Sequence, residues 1–209
     1  MADVFEDRRD LDERRKRLWN IIYETPNLDW LLLTKRPQNV ERLVPWGRHW
    51  PNNVWMGATA ENQRWLDERL PALTSLNARI LFLSCEPMLG PLNLSRWIEG
   101  GKLGHHRKID WVIGGGESGH HARPMHPEWL IRLRDQCVHA NINFHFKQWG
   151  NWKPVTARQL DGYASRELVL SNGSRITIAN MGKKAAGRRL QGRTWDEFPD
   201  QSITTPSVP

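Results

Sequence analysis

The chain has 209 residues, 39% of them hydrophobic and 25% charged, the balance of a soluble globular protein with one substantial domain, with or without a tail. Its formal net charge is +7, from 30 Lys and Arg against 23 Asp and Glu, with a pI near 9.8, which permits attraction to a polyanion without establishing it. Two cysteines, Cys85 and Cys137, exclude a disulfide framework and are too few to hold a tetrahedral zinc or an iron–sulfur cluster by themselves.

The charged start "MADVFEDRRD" is unlike a signal peptide, and no apolar run reaches membrane-spanning length. A cytoplasmic location, no membrane contact and free buried thiols are therefore expected. "DLDERRKRLWNIIYETPN" reads as a first helix stopped by Pro26, and "DWLLLTKRP" (29–37) as a first strand. "NVERLVPW" is a short helix ended by Pro45, followed by a second strand, "NVWMGATAEN" (53–62). In "ENQRWLDERLPALTSL" the residues Trp65, Leu66, Leu70 and Leu73 fall at helical spacing, with a break or kink expected at Pro71. A third strand, "RILFLSCEP" (79–87), and a fourth, "DWVIGGGES" (110–118), flank a loop that carries His105 and His106. "HPEWLIRLRDQCVHAN" places Pro127 near a first turn and Trp129, Leu130, Leu133 and Cys137 on one stripe; "NFHFKQWG" (143–150) is the fifth strand. Beyond Pro154 the rhythm stops. "SRELVLSNGSRITIAN" (165–180) reads as a hairpin about Asn172-Gly173, and residues 182–209 as a partly extended tail that docks through Trp195 and Phe198.

The strand starts lie roughly 24 to 33 residues apart, the span of a strand, a helix and two loops. Strands that are apolar nearly throughout, alternating with amphipathic helices, predict an α/β fold with a parallel sheet covered by helices; an open sheet and a barrel both fit. The predicted organisation is a core over residues 1–154, a hairpin appendage over 155–181 and a basic, Gly- and Pro-containing tail over 182–209. Twelve tryptophans, most beside apolar runs or prolines, suit core and rim packing, with base stacking as the alternative.

Each apolar run ends in polar groups, and parallel strands bring their C-terminal ends to one edge, where ligands bind. The candidate ligand-binding residues are Lys35, Arg36, Glu61, Asn62, Glu86, Gly114, Gly115, Gly116, Glu117, Lys147 and Gln148. Mixed acids and bases in one place suit a zwitterionic or phosphorylated ligand. Gly114, Gly115 and Gly116 would let backbone N–H groups reach a carboxylate or ribose directly, or would serve a tight turn. They form neither a dinucleotide-binding fingerprint nor a P-loop. The pairs His105/His106 and His120/His121 read as solvated loop residues, and no metal ligand set is assigned. Ser118 does not sit in a nucleophile elbow, so serine hydrolysis is disfavoured. His145 alternates with Phe144 and Phe146 and faces away from both. The cluster "GKKAAGRRLQGR" makes Lys183, Lys184, Arg188 and Arg189 candidates for contact with nucleic-acid phosphates.

The segments "LLLTKRP", "NVWMGATAEN", "FLSCEPMLGPLNL", "DWVIGGGESGHHARPMHPEWLIRLRDQC", "FHFKQWG" and "GKKAAGRRLQGRTWDEFP" together resemble a bacteriophage and prophage protein family of unknown function, which looks like a radical S-adenosylmethionine protein with a TIM-barrel-type core. The resemblance implies a parallel-stranded partial TIM-type barrel. For full-length members it implies S-adenosylmethionine and a [4Fe–4S] cluster, held by a three-cysteine motif in an additional N-terminal segment. That segment would precede "MADVFEDR", so this chain is expected to carry no cofactor, to lack the iron–sulfur site and to be inactive alone, as a fragment or a natural short form. By the same resemblance the glycine-rich strand end at 114–117 would line the S-adenosylmethionine site, with Glu61, Asn62, Glu86, Glu117, Lys35 and Lys147 around the cavity. The alternative expectation is a phage-encoded binding protein that acts on a host defence complex or on nucleic acid. A truncated barrel would leave a free sheet edge at residues 30 to 34, open to self-association or to another chain.

Overall fold

The computed structural model describes residues 3–98, 107–160 and 162–199. Five strands, β1 (Trp30–Thr34), β2 (Val54–Thr59), β3 (Ile80–Cys85), β4 (Trp111–Gly115) and β5 (Asn143–Gln148), form one sheet in the order β1-β2-β3-β4-β5, and every pairing is parallel. A helix α1 (Asp12–Glu24) precedes the first strand. The crossovers carry α2 (Val40–Leu43), α3 (Gln63–Thr74), α4 (Ser95–Ile98) and α5 (Pro127–His139). His105 and His106 lie outside the described residues. No described helix is long and apolar enough to cross a membrane.

All the long helices bury their stripe against the same face of the sheet. Trp19 and Ile22 of α1, Leu66, Leu70 and Leu73 of α3, and Leu130, Leu133 and Cys137 of α5 join Leu32, Met56, Leu81, Leu83, Val112, Phe144 and Phe146 in one core cluster. Each leucine that passes from full exposure to full burial contributes about 1.5–3 kcal/mol. This packing decides the fate of Pro71. The helix runs through it to Thr74, because the buried leucines on both sides outweigh the one backbone bond a proline removes, and the expected break does not occur. Pro45 acts as expected: α2 ends at Leu43, and Val44 is extended ahead of it.

No described helix packs on the opposite face. Alternation presents Leu31 and Leu33 of β1, Trp55 and Gly57 of β2, Phe82 and Ser84 of β3, Trp111 and Ile113 of β4, and His145 and Lys147 of β5 there. Trp55, Phe82 and Trp111 make a second, smaller cluster, with Trp55 and Trp111 edge-on at 6.0 Å between ring centroids. Gly57 makes this possible. A Cβ at that position would lie 2.4 Å from the Phe82 ring, which crosses β2 where its neighbours would place a side chain.

Among the described residues the sheet does not close. β1 pairs only with β2 there, so no described strand covers its outer edge, and Leu31 and Leu33 are 45% and 43% exposed. The far edge is covered by the tail: Phe146 N–H donates to the Trp195 carbonyl at 2.9 Å, Phe144 N–H to the Glu197 carboxylate at 2.9 Å, and His145 bridges Asp196 antiparallel. Trp195 is buried on the helix side of that edge, between the guanidinium groups of Arg134 and Arg193 at 4.7 and 3.7 Å, whereas Phe198 lies on the open face.

The expected hairpin is present as β7 (Ser165–Val169) and β8 (Arg175–Asn180), but it is part of a three-stranded antiparallel sheet. The third strand, β6 (Trp152–Val155), pairs with β8, so a boundary at residue 154 falls inside a strand. Over residues 182–199 the tail is likewise more than an extended segment. It forms a helix α6 (Gly182–Ala186) and then the stretch that docks on β5.

Candidate functional site

The parallel sheet puts the polar ends of all five strands on one edge, yet they separate into three groups. In the first, Glu61 is buried and both its oxygens are engaged, by Lys35 Nζ at 2.5 Å and by the buried Arg69 at 2.9 Å. Burial alone would raise the Glu61 carboxyl; the Lys35 ammonium, a backbone hydrogen bond and Arg69 together hold it below its ordinary value. Asn62 caps α3 by accepting the Trp65 N–H at 3.2 Å. Arg36 turns away to the N-terminal segment, with Asp3 at 3.4 Å and Glu6 at 3.2 Å. These residues hold the edge of the sheet together rather than facing a hollow.

In the second group, Glu117 accepts from Arg123 Nε and Nη2, both at 2.8 Å, and from the Arg123 N–H at 2.8 Å. Those hydrogen bonds hold its carboxyl at about 2. The glycines before it are filled by protein. A Cβ on Gly114 would meet the Leu130 side chain at 2.7 Å, and one on Gly116 would lie 2.0 Å from the Trp149 carbonyl oxygen. The Gly116 N–H already donates to the Gln148 carbonyl at 2.9 Å. Of the two readings of this stretch, close packing of chain on chain is the one the geometry supports; at Gly116 no backbone N–H is left for a ligand. His120 and His121 are exposed and touch only each other, at 3.3 Å among the hydrogen bonds described.

The third group does line a hollow. Glu86 at the end of β3 accepts from Lys147 Nζ at 2.7 Å and from Gln148 Nε2 at 2.8 Å, both at the end of β5, and a Cβ on Gly115 between them would touch Glu86 at 3.3 Å. Glu86 and Lys147 stand at the mouth of a groove of about 330 Å³ on the open face, floored by Phe82, Trp111 and Ile113 and walled by Leu31, Leu33 and Phe198. Of the eleven candidate ligand residues, these two line it, with Gln148 and Gly115 alongside.

Two polar residues outside that candidate set complete the groove. Ser84 lies one alternation before Glu86, and its hydroxyl bonds to no described protein group. His145 lies one alternation before Lys147, on the face away from Phe144 and Phe146. Its Nδ1 is buried without a hydrogen bond, with the Asp196 carboxylate 3.8 Å away. Burial, and then the positive charges of Arg188 and Lys147, push its pKa below the ordinary value, which favours the neutral ring. The aromatic contact is tight: the Trp111 and Phe198 rings pack at a tilt with centroids 5.0 Å apart, and Trp111 Nε1 donates to the Glu197 carbonyl at 2.9 Å.

The residues described do not fit a [4Fe–4S] cluster. Cys85 and Cys137 are both buried in the helix-side core, where burial pushes the thiols up, Cys137 to about 12, and no three His, Cys, Asp or Glu side chains gather in ligating positions among the described residues. Comparison with curated proteins and with solved structures gave no significant match. Residues 1–199 match the profile of a family described as "Protein of unknown function (DUF5131)", and the chain belongs to that family.

Proposed function

We propose that the chain is the ligand-binding part of a TIM-type barrel of the radical S-adenosylmethionine kind, of phage or prophage origin, and that its open face takes a small zwitterion carrying an apolar or aromatic body. The supporting observation is the Glu86–Lys147 pair, 2.7 Å apart over a floor of Phe82 and Trp111. An ammonium and a carboxylate entering together replace this one ion pair with two, while the rest of the ligand covers the exposed side chains of Leu31, Leu33 and Phe198. The aminoacyl end and the adenine of S-adenosylmethionine have this combination. Sequential strand order with the long helices on one face is also how a segment of a barrel is built, which favours that fold over a doubly wound sheet. Because the described residues do not fit a cluster, no radical step is assigned to the chain alone.

Calorimetric titration with S-adenosylmethionine, S-adenosylhomocysteine and adenosine tests the reading. The two ligands with an aminoacyl end should bind, and adenosine should bind more weakly. A charge-assisted hydrogen bond is worth about 1.5–3 kcal/mol, so Glu86→Gln or Lys147→Ala should weaken binding about tenfold or more. Binding that ignores both substitutions, or no binding at millimolar ligand, would sink the proposal.

A second reading, an interaction protein, is favoured by the free β1 edge and the exposure of Leu31 and Leu33. An incoming strand would pair with β1 and bury both. On this reading Leu33→Lys abolishes a complex seen by light scattering; a concentration-independent monomer that captures no partner strand argues against it.

A further inference from the structure

A second groove, of about 510 Å³, lies where α5, α6 and the three-stranded sheet meet. Its floor is apolar, built from Ile131, Pro154 and Ile176, and its rim is cationic, with Lys153, Arg188 and Arg189 and no carboxylate in the lining. Helix α6, whose Ala185 and Ala186 line the groove, adds the exposed Lys183 and Lys184. Arg188 is neutralised by an ion pair with Asp196, but Lys153, Lys183, Lys184 and Arg189 have no carboxylate partner among the described residues; Lys153 Nζ donates only to the Ala185 carbonyl at 3.3 Å. Lys153 and Arg189 therefore line the trough uncompensated, and Lys183 and Lys184 add two further cations on the helix that forms one of its walls.

Two amides sharpen the chemistry. Gln159 Oε1 accepts from the Thr156 N–H at 3.0 Å and Gln191 Oε1 accepts from Arg134 at 2.8 Å; both residues line the groove, and neither NH2 group bonds to a described residue. A cationic rim without carboxylates matches the phosphates of a nucleic acid, and amide donors over an apolar floor match the acceptor edges of its bases. We propose that this groove binds single-stranded nucleic acid, with phosphates on the cationic rim and bases along the floor.

The test is fluorescence anisotropy of short labelled single strands of DNA and RNA across a salt series. Four phosphate contacts on a single strand give a slope of log affinity against log salt of about −2.8, which is about a 50-fold loss between roughly 50 and 200 mM salt. Replacing Lys183, Lys184 and Arg189 with alanine leaves one contact and reduces that loss to about threefold. These three side chains are exposed, so the fold should persist. A charge-matched control, Arg9→Ala with Arg14→Ala and Arg17→Ala on and before the exposed side of α1, should keep the wild-type slope. The proposal is overturned by absence of binding at low salt, by a slope that the groove substitutions leave unchanged, or by an equal loss in the control. Competition by polyglutamate as effective as that of the oligonucleotide would reassign the groove to acidic proteins and overturn it as well.

Discussion

Gly57 and Phe82 offer the most direct check on the open face, because the floor of the groove depends on a ring lying over a missing side chain. With a Cβ on residue 57 the nearest ring carbons would stand at 2.4 Å, so the ring must retreat by about 1 Å, toward Trp111 and the groove. Overpacking of this kind costs about 1–3 kcal/mol, from which the stiffer backbone of alanine in a strand recovers about 0.5–1 kcal/mol. Gly57→Ala should therefore destabilise the wild type by about 1–2 kcal/mol. Phe82→Ala alone removes a ring that is 2% exposed and should cost about 3–5 kcal/mol. In the Phe82→Ala background the obstacle is gone, and Gly57→Ala should become neutral or stabilising by up to about 1 kcal/mol. The cycle thus carries a coupling energy of about 2 kcal/mol, readable from urea unfolding of the four proteins followed by circular dichroism at constant m-value. If the two effects simply add, to within about 0.5 kcal/mol, the ring does not lie over Gly57 and the shape of the groove is wrong.

Three further outcomes follow from the charges and thiols. The Glu117 carboxyl is depressed to about 2 from an ordinary 4.5, so its pairing with Arg123 stabilises the fold fully above about pH 4.5 and is lost as pH falls toward 2; Glu117→Gln should lower stability above that window, by less than about 1 kcal/mol because Arg123 is mostly exposed, and by progressively less within it. His145 is shifted down by burial and by Arg188 and Lys147, against the opposing charge of Glu86, with Asp196 also beside the ring. Protonation is therefore disfavoured in the fold, stability falls as pH drops below 6.5, and Arg188→Ala should raise the His145 pKa in an NMR titration; a fall would contradict the assignment of its neighbours. Cys85 and Cys137 should resist a thiol reagent in the native protein at mildly alkaline pH and react fully in denaturant, whereas rapid native labelling of either would show that the helix-side core is misassigned.

The layer structure was legible in the chain because its cause is local. Five apolar runs alternated with stripes such as Trp129, Leu130, Leu133 and Cys137, and those periods survive in β1 to β5 and in the long helices. Pro71 was misread because a backbone rule was applied without the packing of Leu66, Leu70 and Leu73 that overrides it. Closure of the sheet was not legible at all. Strand spacing is the same in an open sheet and in a barrel, and the difference lies in whether the two edge strands meet. The third strand of the small sheet was missed for a similar reason: "WKPV" holds a proline, which is tolerated because β6 is an edge strand with one neighbour.

The candidate site shows where pattern reading stops. Polar residues at strand ends are the correct place to look, but the ends of Lys35, Glu61 and Glu117 are consumed by partners that no spacing reveals: Arg69 from the crossover helix and Arg123 from a loop. The glycine run was ambiguous because a bare backbone admits any close neighbour equally, and the neighbour here is the chain itself at Trp149 and Gly150. What the sequence did contain, read at His145 alone and not carried to the other strands, is the second step of the alternation. One step of two residues back from Glu86 reaches Ser84 and a second reaches Phe82; one such step from Lys147 reaches His145, and Trp111 and Ile113 follow the same rule on β4. Those positions share a face whatever the barrel does, so the groove floor follows from parity alone. Its wall does not. Phe198 reaches Trp111 only because Trp195 is buried on the other side of β5 and the intervening Asp196 and Glu197 bond to that strand, a route of packing and edge hydrogen bonds spanning some fifty residues that only the folded chain makes visible.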